Sequence, residues 1–187
     1  MTKLELYYPV SPHKTNQAWG IYNPSYQQFG FARHNGIDLN LVNGQPIYAP
    51  LDATVVRVGN QPNGGGIFIG LLSGVCDFSD GKQAQVLIDF LHCKEIVAKE
   101  GSEVKTGDMI ALGDNTGFST GPHTHMQCRR VVNVNGTLVN VDTNDANNSF
   151  DHSLYWNGYY ATDKPILLKI ISLLQNFLEK LKGRNLT

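Results

Sequence analysis

The chain has 187 residues, enough to close one substantial hydrophobic core, and is 41% hydrophobic and 17% charged. Its 19 glycines and 8 prolines describe a turn-rich folded protein and exclude a disordered one. The formal net charge is −1 and the basic residues form no dense block, so the electrostatic footprint demanded by a nucleic-acid backbone is missing.

Residues 1–14 hold no uninterrupted apolar segment followed by a small-residue cleavage site, so no secretory signal is expected there, and no segment reads as a transmembrane span. Strand signals then follow in order: GIDLNLV (36–42), PIYAPLDATVVRVG (46–59), GIFIGLL (66–72), AQVLIDFLH (84–92), DMIALG (108–113) and HTHMQCRRVVNV (123–134). Each is rich in β-branched or aromatic residues and bounded by Gly, Asn or Pro, which predicts a mainly β, antiparallel domain. Asn135-Gly136 lies between two apolar runs and predicts a hairpin, because both residues accept the positive φ of a type I′ turn. Residues 73–82 and 142–151 read as loops.

The tail changes character. Ile170, Leu173, Leu174, Phe177, Leu178 and Leu181 follow the i, i+3, i+4, i+7 spacing of an amphipathic helix over residues 165–182, with Thr162 or Asp163 placed to cap it and Pro165 in its first turn. This divides the chain into a β domain over 1–160 and a helical tail over 161–187. The first expectation for the apolar face is packing back onto the body; docking to a partner protein, to a second copy or to a membrane surface are its alternatives.

Cys76, Cys93 and Cys128 are odd in number and irregular in spacing, which describes buried thiols and not a disulfide framework. The histidines are better organised. In an extended HTHMQ segment, His123 and His125 share one face while Thr124 points to the other. His34 and Asp38 stand four apart across the turn-prone Asn35-Gly36 and could converge on a metal, and His92 ends the apolar run VLIDFLH. Four of the six histidines therefore fall in three motifs, and a set of three imidazole and carboxylate ligands would leave a fourth position open, as catalytic zinc requires. Cys93 and Cys128 sit at odd offsets from His92 and His125, so in regular strands they face away from such a site. HExxH is absent.

The order HNGID, then a histidine closing a strand, then EGSEVKTGDMIALGDNTGFSTGPHTHMQ resembles the lysostaphin/LytM-type zinc endopeptidases that degrade peptidoglycan, from about Tyr8 to about Val134. The resemblance implies a β-sandwich or split-barrel LytM-like domain. It implies a Zn2+ ion held by His34, Asp38 and His125, with His92 and His123 left unligated as acid, base and charge-stabilising groups. It implies a peptidoglycan peptide as substrate, at the bacterial cell wall; with no secretory signal expected in residues 1–14, that site would be reached by phage delivery, as part of a virion or by another export route, unless the sequence is a trimmed one. Phe90 and Cys93 flank the central histidine where the family has tyrosine and leucine or methionine, and Met126-Gln127 stand in place of Phe-Glu; none of these departures removes a ligand. Tyr22 and Tyr26 stand before His34 as further candidates to touch a developing oxyanion. A non-hydrolytic binding or regulatory module, or a structural component of a phage particle, are the competing expectations.

Overall fold

The computed structural model describes residues 2–142 and 148–184. In chain order its strands are β1 (Thr2–Lys3), β2 (Leu6–Tyr8), β3 (Thr15–Gln17), β4 (Ile37–Asn40), β5 (Pro46–Tyr48), β6 (Ala53–Gln61) and β7 (Gly66–Asp77). They continue with β8 (Gln83–Ile96), β9 (Glu103–Val104), β10 (Met109–Gly113), β11 (His123–Val134), β12 (Thr137–Asn140) and β13 (Trp156–Tyr160), and the helix α1 spans Lys164–Arg184. The main sheet runs β3-β4-β11-β8-β7-β6-β9, antiparallel along this path, with β12 on β11 and β10 joining β8 to β5. The sheet stays open and does not close into a barrel. β2 and β13 pair separately, in parallel.

The three long central strands alternate strictly enough to give the sheet two distinct faces. Ile69, Leu71, Val86, Ile88, Phe90, Met126 and Cys128 are fully buried on one side. Each aliphatic or aromatic side chain removed from water there contributes roughly 1.5–3 kcal/mol. Asp89, Leu91, His123, His125, Gln127 and Arg129, at the intervening positions, line a cleft on the other side.

Asn135 and Gly136 form the tip between β11 and β12 with φ of 53° and 85°, the hairpin their sequence predicts. The expected loop over 73–82 shrinks, because β7 continues to Asp77. β8 pairs with it through Val75, Cys76 and Asp77, and β1 adds in parallel along Cys76 and Asp77, so tertiary partners override the local turn composition. Of the predicted loop 142–151, residues 143–147 lie outside the described residues. Cys93 and Cys128 are buried free thiols, while Cys76 is half-buried.

α1 begins one residue earlier than its periodicity predicts, with Pro165 in its first turn. A 3₁₀ turn, Ala161–Asp163, leads into it, and the Asp163 carboxylate accepts the Tyr160 N–H at 3.0 Å. Lys164 Nζ ties the helix start to the body through Asp52 and Thr106. The expectation that the apolar face packs back on the body is overturned: Ile166, Ile170, Leu173, Leu174, Phe177 and Leu178 are all exposed, Leu173 at 61%. A 3.6-residue period makes an apolar stripe, but a helix that leaves the body after its first turn gives that stripe nothing to lie against.

Candidate active site

The cleft, of about 590 Å³, opens along the polar face of β11 and β8. Register brings the first two residues together. His125 on β11 pairs with Asp38 on β4, so their side chains stand side by side on one face of neighbouring strands. His34 precedes β4 and is pinned by backbone bonds, its N–H to Ile21 O and its carbonyl to the Gly20 N–H. The outcome is a triangle of donor atoms: His34 Nε2 to Asp38 Oδ1 3.1 Å, His34 Nε2 to His125 Nδ1 3.0 Å, and His125 Nδ1 to Asp38 Oδ1 2.9 Å. Among the described residues this is the His/Asp group able to hold a metal ion.

The protons available to the triangle leave it suited to a cation. His34 Nδ1 lies 2.8 Å from Ala18 O, so it carries the ring proton and donates to that carbonyl, leaving Nε2 with a lone pair. That lone pair faces a carboxylate oxygen and a second imidazole nitrogen. One proton on His125 Nδ1 relieves two edges at most and leaves His34 Nε2 against Asp38 Oδ1 as acceptor against acceptor. Three converging lone pairs are the donor set a divalent metal neutralises. Burial alone would raise the Asp38 carboxyl, but the hydrogen bonds and charge of His125 and His34 hold it well below the usual carboxylate range, as a ligand requires. Burial lowers the pKa of His125, favouring the neutral ring, the form able to bind a metal.

Gly36 makes the approach possible. A methyl group there would lie 2.5 Å from both His125 Nε2 and the Met126 carbonyl oxygen, so the HNGID segment can cross β11 only with glycine at that point.

His92 and His123 sit beside this group, their ring centroids 4.7 Å apart. His123 Nδ1 donates to Gly121 O at 2.8 Å and is 3.1 Å from Ser119 Oγ, while its Nε2 is 3.7 Å from Asp38 Oδ1. Strict alternation along β8 would aim His92 away from Leu91 and into the core. The backbone avoids this by a positive φ of 63° at His92, next to a register shift in the β7–β8 pairing. A non-glycine residue in that region stores strain, and the device turns the imidazole into the cleft. A tight loop crossing supports it: Gly66 and Gly117 pack where a methyl on either would meet backbone atoms at 2.3–2.4 Å, and Thr116 O accepts His92 Nδ1–H at 2.7 Å. Burial pushes His92 down to about 4, so its ring is neutral at neutral pH.

Tyr26 stacks on His34 with centroids 5.4 Å apart and lines the cleft, its phenol pKa raised by burial and then by Asp38. Tyr22 is 61% exposed. The sequence marks Gly36 as part of a turn but not its close packing on His125, and it does not single out Thr116 or the Arg57, Asp89 and Arg129 cluster on the cleft floor; the run NGGG at 63–66 and the odd-numbered alternation from His123 to Arg129 are the available signals.

The sequence profile of peptidase family M23 matches residues 32–141, a span that contains all five of these residues. The chain is 33% identical over 132 residues to an uncharacterised metalloprotease of Haemophilus influenzae, covering 71% of this chain and 23% of that protein. It is 33% identical over 110 residues to the peptidoglycan DD-endopeptidase ShyA of Vibrio cholerae, covering 59% of this chain and 22% of that one. The chain thus matches less than a quarter of the length of these curated relatives. The catalytic domain of lysostaphin from Staphylococcus simulans superposes with a TM-score of 0.51 at 28% identity, covering 68% of this chain and 88% of that domain.

Proposed function

Because this chain belongs to peptidase family M23, we propose that its cleft is a zinc-dependent endopeptidase site that hydrolyses peptide bonds in the cross-links or stem peptides of peptidoglycan, acting at the cell wall. The observation that carries the reading is the triangle of His34 Nε2, Asp38 Oδ1 and His125 Nδ1, with edges of 2.9–3.1 Å. Tetrahedral zinc with donors at ~2.0–2.1 Å keeps them roughly 3.3 Å apart, so these side chains need move only a few tenths of an ångström to hold it. The peptidoglycan substrate rests on the similarity to a DD-endopeptidase.

Zinc held there supplies Lewis acidity towards a peptide carbonyl and towards water. The protein supplies the proton transfers. With Nδ1–H committed to Gly121 O, His123 offers Nε2, 3.7 Å from Asp38 Oδ1, as a proton acceptor beside the ligand cluster. It takes the proton of the attacking water and returns it to the leaving amine nitrogen. His92 stays neutral under the same conditions because it is buried, so it does not repel a protonated His123 and remains able to hydrogen-bond a reacting group. Tyr26, stacked on His34, fixes that ring and walls the cleft.

Elemental analysis of purified variants, together with digestion of purified peptidoglycan with and without a chelator, tests this reading. His125→Ala loses both stoichiometric zinc and lysis. His123→Ala keeps zinc and loses about 10²–10⁴-fold in rate, the usual worth of a positioned acid–base group. Zinc retained at full occupancy by His125→Ala overturns the ligand set.

A further inference from the structure

The cleft holds a second charged constellation that the chemistry above does not use. Arg57 on β6, Gly70 on β7, Asp89 on β8 and Gln127 on β11 form one row straight across the sheet, each paired in register with the next. Arg57 reaches over Gly70 and grips Asp89 with both forks, Nε to Oδ1 at 2.9 Å and Nη2 to Oδ2 at 2.5 Å. A side chain at position 70 would block it, since a methyl there would sit 2.6 Å from Arg57 Cγ and 2.8 Å from Asp89 Oδ1. Arg129, two residues along β11 from this row, adds Nη2 to Asp89 Oδ2 at 2.7 Å.

The charges do not balance. Two guanidinium groups share one buried carboxylate, and three of their ten N–H donors are used on it. Asp89 is only 3% exposed, whereas Arg57 is 41% exposed and stands on the cleft floor. Asp38, the other acid lining the cleft, is taken up by the histidines. A pair of like charges held on one anion in a partly enclosed groove gains most from a second anion, and planar guanidinium forks match a carboxylate in geometry.

We propose that Arg57 and Arg129, ordered by Asp89, form a specificity subsite that binds a free carboxylate of the substrate peptide. The inference rests on the peptidase reading and narrows it: the preferred substrate is an acidic stem peptide and not an uncharged glycine bridge. Asp89 is displaced from His125 by one strand spacing and two residues, on the order of 8 Å along the sheet. The recognised carboxylate therefore lies roughly two to three residues from the scissile bond in an extended peptide.

Two synthetic cross-linked stem peptides that differ only in a carboxylate or a carboxamide at that position provide the test. Zinc-loaded protein is expected to prefer the carboxylate by about tenfold or more in kcat/KM, as hydrogen bonds to charged groups contribute. In Arg57→Gln, which leaves Asp89 paired with Arg129, the ratio falls towards one. Equal kcat/KM for the two peptides in the unmodified protein overturns the subsite, as does a ratio unchanged in Arg57→Gln. The same two peptides are titrated calorimetrically into the zinc-loaded His123→Ala protein. A binding preference for the carboxylate there supports the subsite even if the unmodified protein cleaves neither peptide, an outcome that would count against the peptidase reading alone. Equal affinities there overturn the subsite.

Discussion

The cleft and the C-terminal helix were built from equally clear patterns and met opposite fates. On β11, period-two alternation sends Thr124, Met126 and Cys128 into the core and His123 and His125 into the cleft, and both sets find partners. On α1, period-3.6 spacing gathers an apolar stripe just as cleanly, yet the stripe is left in solvent beyond a first turn fastened by Lys164. A strand acquires its neighbours through the backbone ladder that makes it a strand, whereas a helix satisfies its own backbone and needs a separate surface to cover its side chains. Stability and function should therefore be sensitive to small changes in the first region and tolerant of large ones in the second.

The sharpest break in that contrast is Gly36→Ala. Its φ lies outside the positive range, so the added methyl acts by volume alone, against the His125 ring and the β11 backbone. Zinc affinity, measured by competition with a chelator, is expected to fall about 10–100-fold, the cost of disturbing the shell that orients a metal ligand, and peptidoglycan cleavage is expected to fall with it.

A smaller effect comes from His152, fully buried against Trp156, where burial pushes the pKa down to about 3. The sign is set by the depressed folded value. As pH falls below about 6.5 the unfolded chain takes up a proton that the folded chain refuses until about 3, so stability drops through that window, by at most about 1.4 kcal/mol per pH unit. His152→Phe should flatten this slope by up to one proton, read from denaturant unfolding at several pH values.

The smallest effect should come from the tail. Leu173→Ser and Phe177→Ser change residues that are 61% and 58% exposed, and each is expected to shift unfolding by no more than about 0.5 kcal/mol, or about 1–2 °C. A drop of several degrees in the melting temperature would show that the stripe is covered in solution and would erase the distinction drawn between the two regions.

Much of this is legible in the sequence. The strands from 36 to 134, the Asn135-Gly136 hairpin and the onset of the helix follow from composition, alternation and turn chemistry, all of which act within a few residues. The shared face of His123 and His125 follows from the strand period. His92 was not legible in this way, since its presence in the cleft depends on a left-handed backbone residue that breaks the alternation. Nor was the row from Arg57 to Gln127, whose members come from four strands.

By itself the sequence determined which segments are strands, where the hairpin turns, and which imidazoles and carboxylate are available for chemistry. Tertiary structure alone decided that three lone pairs meet within about 3 Å, that two arginines share one acid, and that a well-formed apolar helix stays uncovered. The reason is range: propensity and periodicity are local, while register, close backbone crossings and the covering of a face depend on which distant segment arrives opposite.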